Sequence, residues 1–256
     1  NPLQTNGATL SGKGTYILTA NKEGSRGYFT NNGTFDLGEG ITTINIKGNY
    51  TQLSTGNLLV DFNTDNKSDK LNITEGYATL NGKITLTPQV DYYYNGQVIK
   101  LSPIVTVNNG TLTVNSATPT INNISPVLEF TVAGDATTTT VNNTEYVCDY
   151  SKTQYIINVK RKGQGYQSVA TDDISSSIGS AIDIDSQKKK DDEQYVLTID
   201  KEKLLTSLDF PLTTTNTDAE KKKVINTNIK KLNPNVVSSN AQAVLTTHTT
   251  LNNLVS

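Results

Sequence analysis

The sequence contains no methionine and no tryptophan, and only one cysteine and one histidine among its 256 residues. Cys148 has no partner for an internal disulfide, and the favoured interpretation is a small buried apolar side chain. A catalytic Cys–His pair or Ser–His–Asp triad would have to use His248, which argues against a hydrolase. No Cys, Asp or Glu stands at ligand spacing around His248, so we expect a packed helix residue and neither metal nor cofactor.

A strong excess of charge is also missing, because the formal net charge is −2 and charged residues make up 18% of the chain. This balance argues against nucleic acid as a partner. No apolar run approaches the roughly 20 residues that a membrane-spanning helix needs. Since the chain starts at Asn1-Pro2 and has no methionine, we expect a fragment or a processed product.

The residue types that are abundant in the chain favour β-structure with many turns. Hydrophobic residues account for 34% of the chain, and Thr, Asn, Ser and Gly supply most of the polar balance. Apolar residues alternate with polar ones in short runs, as half-buried strands do. The clearest runs contain Ile44 and Ile46, Leu58 to Phe62, Leu71 and Ile73, and Ile84 and Leu86. Turn signals such as Asn31-Asn32-Gly33 and Asn81-Gly82 divide them, which is typical of an irregular β-solenoid built from short rungs.

The pattern changes after Pro88. Three consecutive tyrosines, Tyr92 to Tyr94, precede the turn Asn95-Gly96, and longer strands follow as far as 160. We interpret these strands as hairpin-like, with Asn109-Gly110 as one turn. Tyr92 and Tyr94 are candidate ligand contacts, because exposed aromatic rings suit sugars, although three successive strand residues cannot all face one way.

The pattern in the last third of the chain, after a basic boundary at 160–167, predicts helices. Ala170, Ile174, Ile178 and Ile182 fall four apart and form one stripe of a helix. Asp200 is expected to cap a short leucine-containing helix that stops before Pro211. Thr217 and Glu220 predict a capping box, followed by a helix that buries Ile225, Ile229 and Leu232. Residues 236–256 carry a narrow apolar stripe on an otherwise polar helix.

Five short motifs occur in order between 31 and 84 and together resemble the C-terminal passenger region of bacterial type V autotransporters. They read NNGTF at 31–35, GNYTQ at 48–52, GNLL at 56–59, SDKL at 68–71 and ATLNGKI at 78–84. The segment 232–256 resembles the linker helix that leads into the outer-membrane β-barrel of that family. The match covers most of 7–88 and 168–256, and is less specific between 89 and 167.

The resemblance implies a mainly β fold, in which right-handed parallel β-solenoid rungs are followed by a C-terminal β cap and a small α-helical segment. The implied segments are solenoid rungs at 1–88, an autochaperone-like cap at 89–165, a helical segment at 166–235 and the linker helix at 236–256. The implied role is non-enzymatic: the segment helps the passenger fold and joins it to its own β-barrel. The implied location is the bacterial cell surface or outer membrane, with the passenger retained or released.

Two further sites follow from local motifs. Asp61, Asn63, Asp65, Asn66 and Asp69 begin like a calcium loop, but its sixth and twelfth positions hold Asn, so a solenoid corner is the favoured interpretation. Asn252-Asn253 occupies the place at which some autotransporters cleave themselves, which makes the pair a candidate cleavage site.

Two other functions stay open at this point. An adhesin-type module would bind a host protein or glycan through the solenoid flank or through Tyr92 and Tyr94. An enzyme such as a polysaccharide lyase or serine protease is disfavoured, because the chain offers no convincing nucleophile motif.

Overall fold

The computed structural model describes residues 3–5, 7–18, 26–135, 138–141, 144–147, 153–187, 199–212 and 217–232. It is mainly β, with parallel sheets and three α-helices. The chain divides into two compact units that alternate along the sequence. The first contains Asn1–Gln89, Ile99–Asn122 and Thr131–Ile157, and the second contains Val90–Val98, Asn123–Phe130 and Asn158–Ser256. The four contiguous segments expected from the sequence stay a prediction.

Three parallel sheets form most of the first unit, and the chain visits them in rotation. Sheet A contains β1 (Leu3–Gln4), β4 (Tyr28–Asn31), β7 (Asn49–Gln52), β10 (Ala78–Leu80) and β14 (Leu112–Val114). Sheet B contains β2 (Thr9–Ser11), β5 (Thr34–Asp36), β8 (Asn57–Phe62), β11 (Lys83–Pro88) and β15 (Thr118–Ile121). Sheet C contains β3 (Gly14–Ile17), β6 (Thr43–Lys47), β9 (Lys70–Ile73) and β13 (Val105–Val107).

The remaining strands form two smaller sheets. One has the order β12 (Val98–Lys100), β19 (Tyr155–Arg161) and β16 (Leu128–Asp135). The other is an antiparallel pair of β17 (Thr138–Val141) and β18 (Thr144–Val147). None of the described helices is long and apolar enough to cross a membrane.

Alternation places every second residue of the parallel strands in the core, as predicted for β6, β8, β9 and β11. Because the register is parallel, similar apolar residues lie beside one another on neighbouring strands: Ile44 lies beside Leu71, and Leu71 lies beside Val105. Near one end of the stack, Phe29 packs edge-on against Phe35 with ring centroids 4.8 Å apart. Burial of these side chains is the main stabilising contribution to the unit.

A buried polar ladder runs beside this apolar core. Asn31 donates from Nδ2 to Gln52 Oε1 at 3.2 Å and to the Asn57 carbonyl at 3.0 Å. Gln52 donates from Nε2 to the carbonyls of Asn81 and Lys83 at 2.6 and 2.8 Å. Asn31 and Gln52 are both fully buried. Their hydrogen bonds offset the cost of burying amides and tie successive turns of the chain together.

At the corner between sheets C and A, glycines of successive turns lie directly against one another. A Cβ on Gly76 would meet the carbonyl oxygen of Gly48, and a Cβ on Gly110 would meet that of Gly76. Gly76 also has φ +149°, a conformation that other residues rarely adopt. Glycine is therefore required here both by the backbone conformation and by the close approach of the next turn.

The hairpin expected at Asn109-Gly110 is wrong. The strands on either side, β13 and β14, pair in parallel with β9 in sheet C and β10 in sheet A, and not with each other. Asn109 has φ +59°, so the turn prediction itself holds. The same residues that close a hairpin also turn a chain from one sheet to the next, since both need a residue with positive φ.

The edge of sheet C at β13 is covered by the segment before β19. Thr153 Oγ1 donates to the Val105 carbonyl and accepts from the Val105 amide, both at 3.3 Å. The Leu101 amide donates to the Tyr155 carbonyl at 2.9 Å. Thr153 is fully buried and Tyr155 nearly so. An edge that would otherwise present free backbone groups is satisfied within the unit.

Helices characterise the second unit: α1 (Asp173–Ser186), α2 (Ile199–Asp209) and α3 (Asp218–Lys231), with a short 3₁₀ turn at Gln167–Val169. The capping box of α3 is confirmed in part, because Thr217 Oγ1 accepts from the Glu220 amide at 3.3 Å. The predicted burial of Ile225, Ile229 and Leu232 is also confirmed. Helix α2 ends before Pro211, but Asp200 lies inside its first turn and not at its cap.

The buried face of α1 is not the one that the isoleucine stripe predicts. Ser175, Gly179, Asp183 and Ser186 are buried, whereas Ile174 is 52% exposed. A Cβ on Gly179 would lie 2.8 Å from the Tyr166 backbone, so the helix approaches the 3₁₀ turn along its small residues. Asp183 accepts from the amides of Tyr166 and Gln167 at 3.0 and 2.9 Å. This close approach and these hydrogen bonds decide the orientation of α1 against the apolar stripe.

We expect Gly76→Ala to lower the free energy of unfolding of the first unit by roughly 3 kcal/mol, since it combines strained φ with a backbone clash. Gly40 is the matched control, because its φ is +75° and its Cβ would meet only Gln89 Nε2 at 3.9 Å. Gly40→Ala should cost about 1–2 kcal/mol. Urea unfolding followed by circular dichroism measures both, and equal losses would contradict the close-approach explanation.

Candidate functional site

The three tyrosines at 92–94 alternate in burial, although they lie in an irregular segment between β11 and β12 and not in a strand. Tyr93 is fully buried, with its ring centroid 5.0 Å from Phe130 and 5.8 Å from Phe210. Tyr92 and Tyr94 are half-buried. The following turn has Gly96 at φ +80°, and the Gly96 amide donates to the Val159 carbonyl at 3.0 Å. Two of the three rings thus remain partly accessible.

A surface pocket with a volume of about 680 Å³ adjoins Tyr92. This volume falls within the range of small-molecule sites. Apolar and aromatic side chains line it together with charged and polar ones: Val90, Asp91, Tyr92, Glu202, Lys203, Thr206, Ser207, Phe210, Leu212, Val224 and Asn228. Tyr94 is not among the lining residues, so only one of the two predicted contacts borders the pocket. Ligand contact at Tyr92 and Tyr94 stays a prediction.

A buried ionic cluster contacts Tyr92, one of the residues that line the pocket. Arg161 forms a two-point salt bridge with Asp209, with nitrogen–oxygen distances of 3.1 and 2.6 Å. Arg161 Nε donates to the Tyr93 carbonyl at 2.8 Å, and Tyr166 donates from its hydroxyl to Asp209. The guanidinium carbon lies 5.1 Å from the centre of the Tyr92 ring, a cation–π distance. One residue thereby positions both Tyr92 and Tyr93.

Burial governs the electrostatics of this cluster. It raises the pKa of the Asp209 carboxyl, against the lowering effect of the Arg161 charge and of the hydrogen bonds to Arg161 and Tyr166. It also raises the pKa of the Tyr166 hydroxyl well above its usual range. For Arg161, burial lowers the pKa, but the charge of Asp209, the interactions with Tyr166 and Tyr92 and the hydrogen bond to Asp209 together outweigh burial, and the pKa rises. The charges persist inside the unit because each has a well-aligned partner.

Sequence reasoning missed this cluster, because 160–167 was interpreted as a basic boundary. A signal was present: Tyr155, Ile157, Val159 and Arg161 share one face of β19, and all four are buried. Extending the alternation by one residue would have placed Arg161 inside. Its partner Asp209 lies 48 residues away along the chain, and no local pattern identifies it.

Arg161→Met should cost about 3–5 kcal/mol of stability of the second unit, because it leaves the Asp209 carboxylate buried without its partner. The triple variant Arg161→Met/Tyr166→Phe/Asp209→Leu removes the uncompensated groups and should recover most of that loss. Denaturant unfolding monitored by tyrosine fluorescence provides the measurement.

The control for this cluster is Lys230→Met. Lys230 bonds Asp172 at 2.8 Å, with both side chains nearly half-exposed, so its loss should cost less than about 1 kcal/mol. If the triple variant is no more stable than Arg161→Met, unpaired charge is not the cause.

The acidic corner between β8 and β9 is organised by hydrogen bonds of its own side chains. Asp69 accepts from the amides of Thr42 and Asp61 at 2.6 and 2.7 Å. Asn63 accepts from the amides of Asp65 and Lys67, both at 3.1 Å. Asn66, at φ +62°, accepts from the Lys100 amide at 2.8 Å. These contacts are typical of a structural corner. This is the interpretation that the sequence motif favoured over a calcium loop.

No cluster of three or more His, Cys, Asp or Glu that could hold a metal occurs in the described part of the chain. Burial raises the pKa of the Asp69 carboxyl to about 7, against the two backbone hydrogen bonds that lower it. Burial also raises the pKa of Asp61, and the nearby charge of Asp36 adds to this effect. Asp69 therefore changes its charge near neutral pH.

The first unit should become more stable as pH falls from about 7 towards 4. The folded state holds a proton on Asp69 below about pH 7, whereas the unfolded chain takes it up only near the usual 3.8. The stabilisation is complete below the unfolded value and is lost as pH rises through the folded one. The full effect is at most roughly 4 kcal/mol.

The Asp69→Asn variant tests this dependence. It carries no ionisable group at the position, so the slope of its unfolding free energy between pH 5 and pH 8 should be much shallower than that of the wild type, whatever its absolute stability. Equal slopes would assign the pH dependence to other groups. The raised pKa of Asp61 acts in the same direction, so a smaller residual slope is expected.

Other predicted site residues lie outside the described part of the chain. They are the cleavage candidates Asn252 and Asn253, together with His248 and Cys148. Self-cleavage at Asn252-Asn253 stays a prediction.

Comparison with protein-family models, with curated proteins and with solved structures found no match to this chain.

Proposed function

We propose that this chain is the C-terminal passenger segment of a bacterial type V autotransporter. In this proposal it is non-enzymatic. It closes a right-handed parallel β-solenoid, assists folding of the passenger at the cell surface and joins the passenger to its own outer-membrane β-barrel. The solenoid architecture and the handedness are part of the proposal.

The parallel pairing of successive strands supports it most directly. Phe29 of β4 lies opposite Tyr50 of β7, which lies opposite Ala78 of β10, which lies opposite Leu112 of β14. Sheets B and C repeat this order. Equivalent strands thus recur at intervals within the roughly 20–50 residues that mark repeat architectures. Parallel strands joined by crossovers are nearly always right-handed, which favours that hand here.

Closure of one sheet edge supports the capping role. Buried Thr153 satisfies both backbone groups of Val105 at the last strand of sheet C. An uncapped edge invites association with other chains. The resemblance implies that this end emerges first at the cell surface, where a stable cap would serve as a template for the turns that follow. Each later turn then adds to existing structure and avoids a new nucleation step.

An export assay tests the proposal. The 256-residue chain, placed directly before the barrel of a type V autotransporter, should reach the cell surface and resist added protease. Thr153→Val keeps the shape but removes two buried hydrogen bonds, worth about 1–3 kcal/mol. We expect this variant to be exported and cleaved about tenfold faster or more, since cleavage follows the open fraction.

Thr118→Val is the matched control, because the Thr118 hydroxyl donates only locally, to the Ser116 carbonyl, and is exposed. It should be as resistant as the wild type. Retention of the wild-type chain in the periplasm would contradict the display role. Equal resistance of Thr153→Val and the wild type would contradict the capping role while leaving display intact.

A further inference from the structure

The outer face of sheet A carries no charged side chain at any described strand position. Its outward residues are Gln4, Tyr28, Thr30, Asn49, Thr51, Thr79 and Thr113, with Tyr77 directly before β10. Sheets B and C differ, since Asp36 and Lys83 lie on B, and Lys47 and Lys70 on C. Only one of the three faces therefore presents hydroxyls, amides and aromatic rings without charge.

Two exposed tyrosines lie in one column of this face. Tyr28 is paired with Asn49, and Asn49 lies beside Tyr77, because its Oδ1 accepts from the Tyr77 amide at 3.1 Å. Tyr28 and Tyr77 are 48% and 46% exposed. Two strand steps separate their backbones, about 9–10 Å at the usual spacing. The two rings thus flank an amide at a distance comparable to the length of a disaccharide.

A second column of hydroxyls runs alongside. Thr30, Thr51 and Thr79 are in register on adjacent strands. Their hydroxyl groups repeat at each strand step of roughly 4.8 Å. A threonine hydroxyl both donates and accepts hydrogen bonds. The column therefore offers a regular row of donors and acceptors parallel to the tyrosine column.

We propose that this face binds an extended, uncharged oligosaccharide that lies along the stacking direction of the strands. The Tyr28 and Tyr77 rings would pack against the apolar faces of two sugar rings, while Asn49 and the three threonines would bond sugar hydroxyls. An acidic polysaccharide would find no cation at the described strand positions of this face. This inference goes beyond display and does not depend on the secretion route.

Affinity electrophoresis of the purified 256-residue chain tests the proposal. Gels would contain soluble neutral polysaccharides (β-glucan, xylan, galactomannan and dextran) or, as acidic comparisons, alginate and heparin. We expect retardation by at least one neutral polysaccharide, unchanged by added salt. Tyr28→Ala/Tyr77→Ala should weaken it about tenfold or more, since both stacking rings are lost. Tyr28→Phe/Tyr77→Phe keeps the rings and should retain most of the binding.

Ile17→Ala is the matched control, because Ile17 is an exposed apolar side chain of β3 in sheet C and does not belong to the face of sheet A. Its binding should equal that of the wild type. Retardation by none of the neutral polysaccharides would overturn the proposal. So would binding that survives in Tyr28→Ala/Tyr77→Ala, binding lost in Ile17→Ala, or salt-sensitive binding to the acidic gels alone. Surface display could still be correct in each of these cases.

Discussion

Parallel register between successive strands is the constraint on which most of this structure depends. Once Phe29 lies opposite Tyr50 and Tyr50 opposite Ala78, the inward column is apolar and the outward column is set at the same time. The strand spacing leaves no room for side chains where the corners of successive turns meet. This is why Gly76 and Gly110 stand at the corner between sheets C and A.

Four buried polar side chains, two of them amides, share one feature. The amides of Asn31 and Gln52, the carboxylate of Asp69 and the guanidinium of Arg161 are all buried, and all have hydrogen-bond partners. A buried polar group without partners is costly, so each of these groups also specifies where its neighbours lie. The hydrogen bonds of the interior thereby help to specify the structure.

Alternation was enough to predict β6, β8, β9 and β11 and their buried sides, because side-chain direction along a strand is local. Alternation could not distinguish a hairpin from a corner at Asn109-Gly110. Turn residues indicate the backbone conformation, but they do not indicate which strand the next strand pairs with. The isoleucine stripe predicted the wrong buried face of α1 for a related reason. Periodicity identified the helix, but Gly179 and Asp183 decided which face is buried.

The candidate sites show the same difference between what local sequence patterns predict and what only distant contacts decide. By itself the sequence determined the short strands, the corners, the hydrogen-bonded turn at Asp61 to Asp69 and the alternation within Tyr92 to Tyr94. Only the tertiary structure joined Arg161 to Asp209 and brought Tyr28 into one column with Tyr77. These partners lie far apart along the chain, and their meeting depends on how many residues each turn takes before it returns to the same sheet. That length varies from turn to turn, so only the folded chain sets it.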